Sequence, residues 1–306
     1  MKQTPSSIFM VRPEYFGFNP QTAASNAFQA DEIVDNNAEI RKNAITQFDK
    51  FVENLRSHGI SVHVFHSPKH VKLPDAVFPN NWVTFHHDGK VVLYPMLAEN
   101  RRLERRLDVI DKIGETFIIN EVIDLSVEEI NDLILEGSGS IVFDNISMIA
   151  YANESPRTSK ILFDRICQML GYKGVFFNAT DTNGIDIFHT NVMMMIGEGY
   201  SVICTESISK SQQVQVLDTL KNSGLEVIEI SREQMNNFAG NMIQLQNENG
   251  KKYLVMSDSA YSCFHNHQKA TLLKYNEIIH SDVSTIELVG GGSARCMIAG
   301  IHLPKK

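Results

Sequence analysis

Cysteine is scarce in this 306-residue chain. The four present, at positions 167, 204, 263 and 296, are far apart and form no CxxC pair, which argues against a zinc cluster, a redox dithiol or a disulfide framework. No stretch approaches the ~18 apolar residues of a membrane-spanning helix. The opening MKQTPSSIFMVRPEYFG also lacks the apolar core of a secretory signal, so a cytoplasmic protein is expected. Basic charge is in deficit, with 28 Lys+Arg against 36 Asp+Glu and a net charge of -8, which makes nucleic acid and anionic membrane poor partners. The one local excess is Arg101, Arg102, Arg105 and Arg106, which alternate with Leu103 and Leu107 at helical spacing and read as a solvated helix face. No GxGxxG or P-loop opens any helix, so nucleotide binding has no support. The histidines at 63, 66, 70, 86 and 87 lack a partner set at ligand spacing, and neither a metal nor another cofactor is expected. No Pro/Gly/Ser-rich linker divides the chain, which reads as one domain over residues 1–306.

With 43% hydrophobic and 21% charged residues, the composition is that of an ordinary globular protein. Short runs rich in β-branched residues recur throughout, among them SIFMVR, SVHVF, WVTFH, KVVLY, SIVFD, SMIAY, NVMMMI, YSVIC, NMIQLQ, KYLVM and TIELV. Helical patterns separate them at 39–58, 102–113, 157–170, 208–222 and 266–279, and Gly59, Gly171 and Gly224 are natural caps for three of these. The strands arrive as hairpin-like pairs, HHDGK joining one of them, so a doubly wound sheet fits poorly. The count suits about five ββα-type units of roughly 60 residues each, a propeller-like α/β arrangement.

Three segments carry groups suited to chemistry. In LVGGGSARCMIAG, three glycines and a serine precede Cys296; such a loop lets backbone approach a ligand and leaves amides pointing at it, which favours a nucleophilic thiolate. A buried structural cysteine after a glycine turn gives the same pattern. In IDIFHTNVMMMIG, His189 immediately precedes an apolar strand, where an imidazole can face a cleft and shuttle protons; alone, one histidine of 11 is as readily core or surface. In LILEGSGSIVFD, Glu136 stands between an apolar run and glycines, placed to orient a histidine, hold a cation or simply end a helix in solvent. Cys167, Cys204 and Cys263 read as small buried hydrophobes.

Taken together, Glu136 with its Gly-x-Gly, His189, and the run from Gly290 to Cys296, in that chain order, resemble the guanidine-modifying pentein superfamily of arginine deiminases, dimethylargininases and arginine amidinotransferases. NESPRTS resembles that superfamily's serine–x–arginine–threonine motif, and DAVFPNNWV its substrate loop. The opening MVRPEYFGFNPQTAASNAF, with FPNNW, SPRTS, HTNVMM and GGGSARCMIAGIHLP, is most similar to a bacterial branch of amidinotransferase-like, citrulline-utilisation hydrolases. The resemblance implies an α/β pentein fold, a five-bladed propeller of pseudo-fivefold ββαβ-type repeats with a site in its central channel and room for a homodimer. It implies an arginine-like or citrulline-like small-molecule substrate and no cofactor. Cys296 would attack the guanidino or ureido carbon, His189 would protonate the leaving nitrogen and then activate water, and Glu136 would hold the imidazole or a guanidino N–H. Arg157 would bind a substrate carboxylate, with Gly291 and Gly292 shaping the loop beside the thiol.

One departure bears on substrate. Where relatives end the substrate loop in an acid, this chain has Asn80 and Asn81, and where arginine deiminases carry aspartate two residues after the histidine it has Asn191. An amide donates as well as accepts, so the resemblance points to a neutral ureido head or a guanidine held by fewer ionic contacts, with Glu136 as the main acid. Asparagines that merely cap a turn are the alternative. Two further readings stay open: amidino transfer to an amine, and a non-enzymatic pentein resembling a ribosome-binding factor, for which Cys296, His189 and Glu136 would have no use.

Overall fold

The computed structural model describes residues 2–23, 25–26, 28–29, 37–68 and 71–306. Fifteen strands form five three-stranded sheets of one design, in which an inner strand pairs antiparallel with a middle strand and the middle strand pairs parallel with an outer one. The second sheet is β3 (Val83–Phe85), β4 (Lys90–Leu93) and β5 (Glu121–Asp124). The third is β6 (Val142–Asp144), β7 (Ile149–Asn153) and β8 (Lys173–Phe177). The fourth is β9 (Met194–Ile196), β10 (Tyr200–Ile203) and β11 (Glu226–Glu229), and the fifth is β12 (Ile243–Gln246), β13 (Lys252–Ser257) and β14 (Glu277–Ser281). The first sheet joins the two ends of the chain: β1 (Ser7–Arg12) pairs parallel with β2 (Ser61–His66), and its inner strand is β15 (Ala299–Ile301). The C-terminal strand therefore completes the N-terminal repeat, and Cys296, just before it, belongs to that repeat.

Each parallel pair needs a crossover, and a helix supplies it. In Asn37–Ser57 the buried residues Ala44, Phe48, Phe51 and Leu55 recur at intervals of four, three and four, one apolar stripe pressed on the sheet, each large side chain contributing roughly 1.5–3 kcal/mol. The glycines expected to close helices, Gly59, Gly171 and Gly224, all have positive φ. The five small sheets fit the expected fivefold repeat of a mixed α/β fold.

The differences from expectation have local causes. TIELV is helix, within Ser284–Gly290, because Ile286 and Val289 face the core at helical spacing while Leu288 is 58% exposed; five residues are too few to separate the two periods. The helix expected over 266–279 stops at Leu272, and Glu277–Ser281 becomes the outer strand that the repeat requires. The helix expected over 102–113 is two, Glu99–Arg102 and Leu107–Gly114. The arginine run across that break is not a solvated face, since Arg101 is 2% exposed. Among the described residues no helix is long and apolar enough to cross a membrane, and no cluster of three or more His, Cys, Asp or Glu could hold a metal; His70 lies outside the described residues.

Candidate active site

The turns that enter the inner strands carry Asn81, Glu136, His189, Asn241 and Cys296. Each inner strand is entered from a tight turn: Pro79–Asn81 leads into β3, Gly137–Ser140 with Glu136 as its N-cap leads towards β6, and Thr190–Met193 with His189 as its N-cap leads into β9. Asn241 stands just before β12, and Cys296 just before β15. Residues as far apart in sequence as Asn81 and Cys296 thus meet because they occupy equivalent places in five repeats. His189, expected directly before a strand, is followed by one helical turn first, which Met193 and Met194 end.

Glu136 is fully buried and multiply bonded. Its Oε2 lies 2.8 Å from His189 Nε2 and 3.5 Å from an Arg157 Nη1, and its Oε1 accepts from the Leu97 amide at 3.0 Å. Burial alone would push the carboxyl up, but the Arg157 charge, the His189 hydrogen bond and the more distant Arg101 hold it well below the ordinary carboxylate range. An ionised Glu136 fixes the tautomer of its partner: Nε2–H donates, and Nδ1 is left as the basic atom. Burial outweighs Glu136 on the imidazole itself, lowering His189 to about 4, so the ring is neutral at pH 7. Arg157 is also held by Ser25 Oγ, at 2.8 Å from Nη2, and by the Thr22 carbonyl at 3.1 Å, and its guanidinium lies 5.0 Å from the Phe188 ring centroid.

The sulfur of Cys296 sits among amides. Asn241 Nδ2 donates to Sγ at 3.1 Å and Asn191 Nδ2 at 3.5 Å. Asn241 Oδ1 accepts from the backbone amides of Arg295 and Cys296 at 3.1 and 3.4 Å. Those two N–H groups fix which way the Asn241 amide points, so its NH₂ must face the sulfur. Asn241 escaped sequence reading because FAGNM carries no motif; its place before β12, equivalent to that of Cys296 before β15, is the signal that finds it. Asn191, expected on the substrate, lies against the Cys296 sulfur.

Cys296 and His189 open into one cavity, about 280 Å³ of empty space, lined also by Asp75, Asn81, Arg101 and Arg157 and by Gly290, Gly291 and Gly292. Asp75 and Arg101 were not expected there. Arg101 is turned inward by a paired contact with Glu104, at 3.0 and 2.9 Å, and donates to Asn81 Oδ1 at 3.0 Å. Asp75 Oδ2 accepts from Asn19 Nδ2 at 2.6 Å and Thr22 Oγ1 at 3.2 Å. Two side-chain atoms of the cavity residues are buried with no partner: Asp75 Oδ1, an acceptor, and Asn81 Nδ2, a donor. The acid that lines the cavity is thus Asp75, whereas Glu136, expected as the pocket's main acid, is bonded to His189 and does not line it. Asn80 is fully buried behind Asn81 with neither side-chain polar atom paired, and does not line the cavity.

Glycine at 139 is a matter of room: a Cβ there would stand 2.3 Å from Asn81 Nδ2 and 2.9 Å from the His189 ring. Gly291, at φ +64°, holds a left-handed turn against Asn26, whose amide donates to the Gly290 carbonyl at 3.2 Å. Burial pushes two of the other thiols up, Cys167 to about 12 and Cys263 to about 11.

A buried neutral histidine makes stability depend on pH. Between pH 6.5 and about 4 the unfolded chain takes up a proton that native His189 refuses, so stability present at pH 7 falls as pH drops through this window, by about 3 kcal/mol in all. Glu104, raised by burial to about 7, acts in the opposite sense, its contribution present at low pH and lost as pH rises towards 7. Comparing denaturation of the native protein with His189→Asn isolates the first effect: the variant should lose that part of the slope between pH 6.5 and 4, and an unchanged slope would show that His189 is not buried in its neutral form.

The chain's likenesses agree with this geometry. The family model described as N,N dimethylarginine dimethylhydrolase, eukaryotic, matches residues 12–303. No curated protein matches the chain by sequence. Among solved structures, the N-terminal domain of ArgZ, bound covalently to a reaction intermediate, superimposes with a TM-score of 0.76 at 17% identity, over 97% of this chain and 98% of that one; ArgZ is described as an arginine dihydrolase from the ornithine–ammonia cycle in cyanobacteria. AgrE in complex with L-arginine gives 0.75 at 17% identity, over 98% of this chain and 40% of that one. A dimethylarginine dimethylaminohydrolase variant, as its adduct with S-methyl-L-thiocitrulline, gives 0.65 at 16% identity, over 97% and 99%.

Proposed function

The chain belongs to the N,N-dimethylarginine dimethylhydrolase family, and from that premise we propose that it is a cysteine-dependent hydrolase of the guanidino carbon of arginine, working as one catalytic unit over residues 1–306 whose five repeats form the blades of an α/β propeller. The observation that carries the reading is the shared cavity of Cys296 and His189, with one unpartnered acceptor and one unpartnered donor on its walls. Cys296 Sγ bonds to the guanidino carbon as the C=N electron pair moves onto nitrogen, giving a tetrahedral adduct. His189, neutral at rest, takes the thiol proton and delivers it to the departing nitrogen, so ammonia leaves and an S-alkyl thiouronium remains. The same imidazole then removes a proton from water, which adds to that carbon. Collapse breaks the C–S bond and frees a ureido amino acid. Glu136 keeps the imidazole oriented and balances its transient charge. Arg157 and Arg101 supply the positive end for the substrate carboxylate.

The walls suit a second round. Asp75 Oδ1 accepts from a cationic N–H, as in a guanidinium, while Asn81 Nδ2 donates to a carbonyl oxygen, as in a ureido group. The departure from acids to amides in the substrate loop is thus met by a pocket holding both, which supports turnover of arginine and of citrulline at one site, as the description of ArgZ as a dihydrolase suggests for that protein. Product analysis tests this: arginine and two waters should yield one ornithine, two ammonia and one carbon dioxide, and citrulline alone should also be consumed. Accumulating citrulline at one ammonia per arginine would remove the second round. Release of dimethylamine from N,N-dimethylarginine with arginine inert would replace the substrate.

A further inference from the structure

The five inner strands line a second, open cavity, about 760 Å³ of empty space, separate from the one shared by Cys296 and His189. Residues of β3, β6, β9, β12 and β15 line it, together with Gln3, His86, Asn191, Arg295 and His302. In a protein with a net charge of -8, none of the residues lining this cavity is an aspartate or glutamate, and Arg295 is the only one with a permanent charge. The guanidinium makes one side-chain hydrogen bond, Nη1 to the Ile298 carbonyl at 2.9 Å. Among the described residues it has no carboxylate within ion-pair distance, and its charge acts on the His302 ring. His302 Nδ1 is buried with no partner, and His86, held by Thr84 at 2.7 Å, is kept uncharged by burial. Arg295 is only partly buried and lines the cavity with most of its donors unpaired by protein groups, so they are available to an anion that enters.

We propose that this cavity binds a small oxyanion or carboxylate through Arg295, at a site distinct from the catalytic cavity although Asn191 lines it and also donates to the nucleophile. The proposal does not depend on the reaction assigned above. Its probe is inorganic phosphate, with sodium chloride of equal ionic strength as the control, followed by calorimetry and by thermal denaturation. The native protein should bind phosphate saturably and melt at a higher temperature in it. Arg295→Gln should lose both effects, and Arg157→Gln, altered only in the catalytic cavity, should keep them. Absence of saturable binding to the native protein overturns the proposal whether or not the variants fold. Loss of binding in Arg157→Gln also overturns it, by placing the anion in the catalytic cavity, and leaves the hydrolase reading intact. Retained phosphate binding in Arg295→Gln excludes Arg295 as the anion's ligand.

Discussion

Cys296→Ser is expected to lower turnover of arginine by at least about 10⁴-fold, since removing a covalent nucleophile leaves only what binding and the remaining groups supply. The fold should be nearly indifferent. A serine oxygen can accept from Asn241 and Asn191, as the sulfur does at 3.1 and 3.5 Å, so the change should be worth under about 1 kcal/mol and move the melting temperature by no more than about 4 °C. Substrate affinity should survive, because Asp75, Arg101 and Arg157 are untouched. The effect therefore belongs in kcat, and a variant that kept native turnover would exclude Cys296 as the nucleophile.

Glu136→Leu is expected to be nearly as damaging to activity and far more so to stability. The carboxylate sits 2.8 Å from His189 and 3.5 Å from Arg157, with all three groups almost fully buried. Removing it strands the Arg157 cation and frees the imidazole to rotate. Breaking a buried ionic group from one side costs about 3–5 kcal/mol, and loss of an orienting carboxylate costs catalysis on the order of 10⁴-fold. Glu136→Gln should recover much of the packing but little of the activity, because a neutral amide neither balances imidazolium nor fixes the Nε2–H tautomer. Denaturation and steady-state kinetics on the pair separate the two losses. Equal stability of Glu136→Leu and the native protein would contradict the buried triad.

What could be read from the sequence follows from where information is local. Glycines or apolar runs flank Glu136, His189 and Cys296, but each alone is ambiguous, and it is their order along the chain, resembling that of a known family, that singles them out. Asp75 opens DAVFPNNW and Asn81 lies near its other end, and only the fold shows that both ends of that loop reach the cavity. Arg101 looked like its neighbours in an arginine run; Glu104, buried and paired with it, turns it inward. Asn241 has no local mark at all and is recognisable only once five repeats are superimposed. Helix and strand were confused where the segment was short, as at TIELV, because there the sheet partner rather than periodicity decides.

Everything rests on a covalent bond between Cys296 and the substrate's planar carbon. Rapid acid quenching of the enzyme during turnover of arginine, followed by mass spectrometry of its peptides, reads that bond directly. The peptide carrying Cys296 should gain the mass of arginine less ammonia, while the peptides of Cys167, Cys204 and Cys263 stay unmodified and Cys296→Ser shows nothing. Turnover without an adduct, or an adduct on another cysteine, would contradict the account.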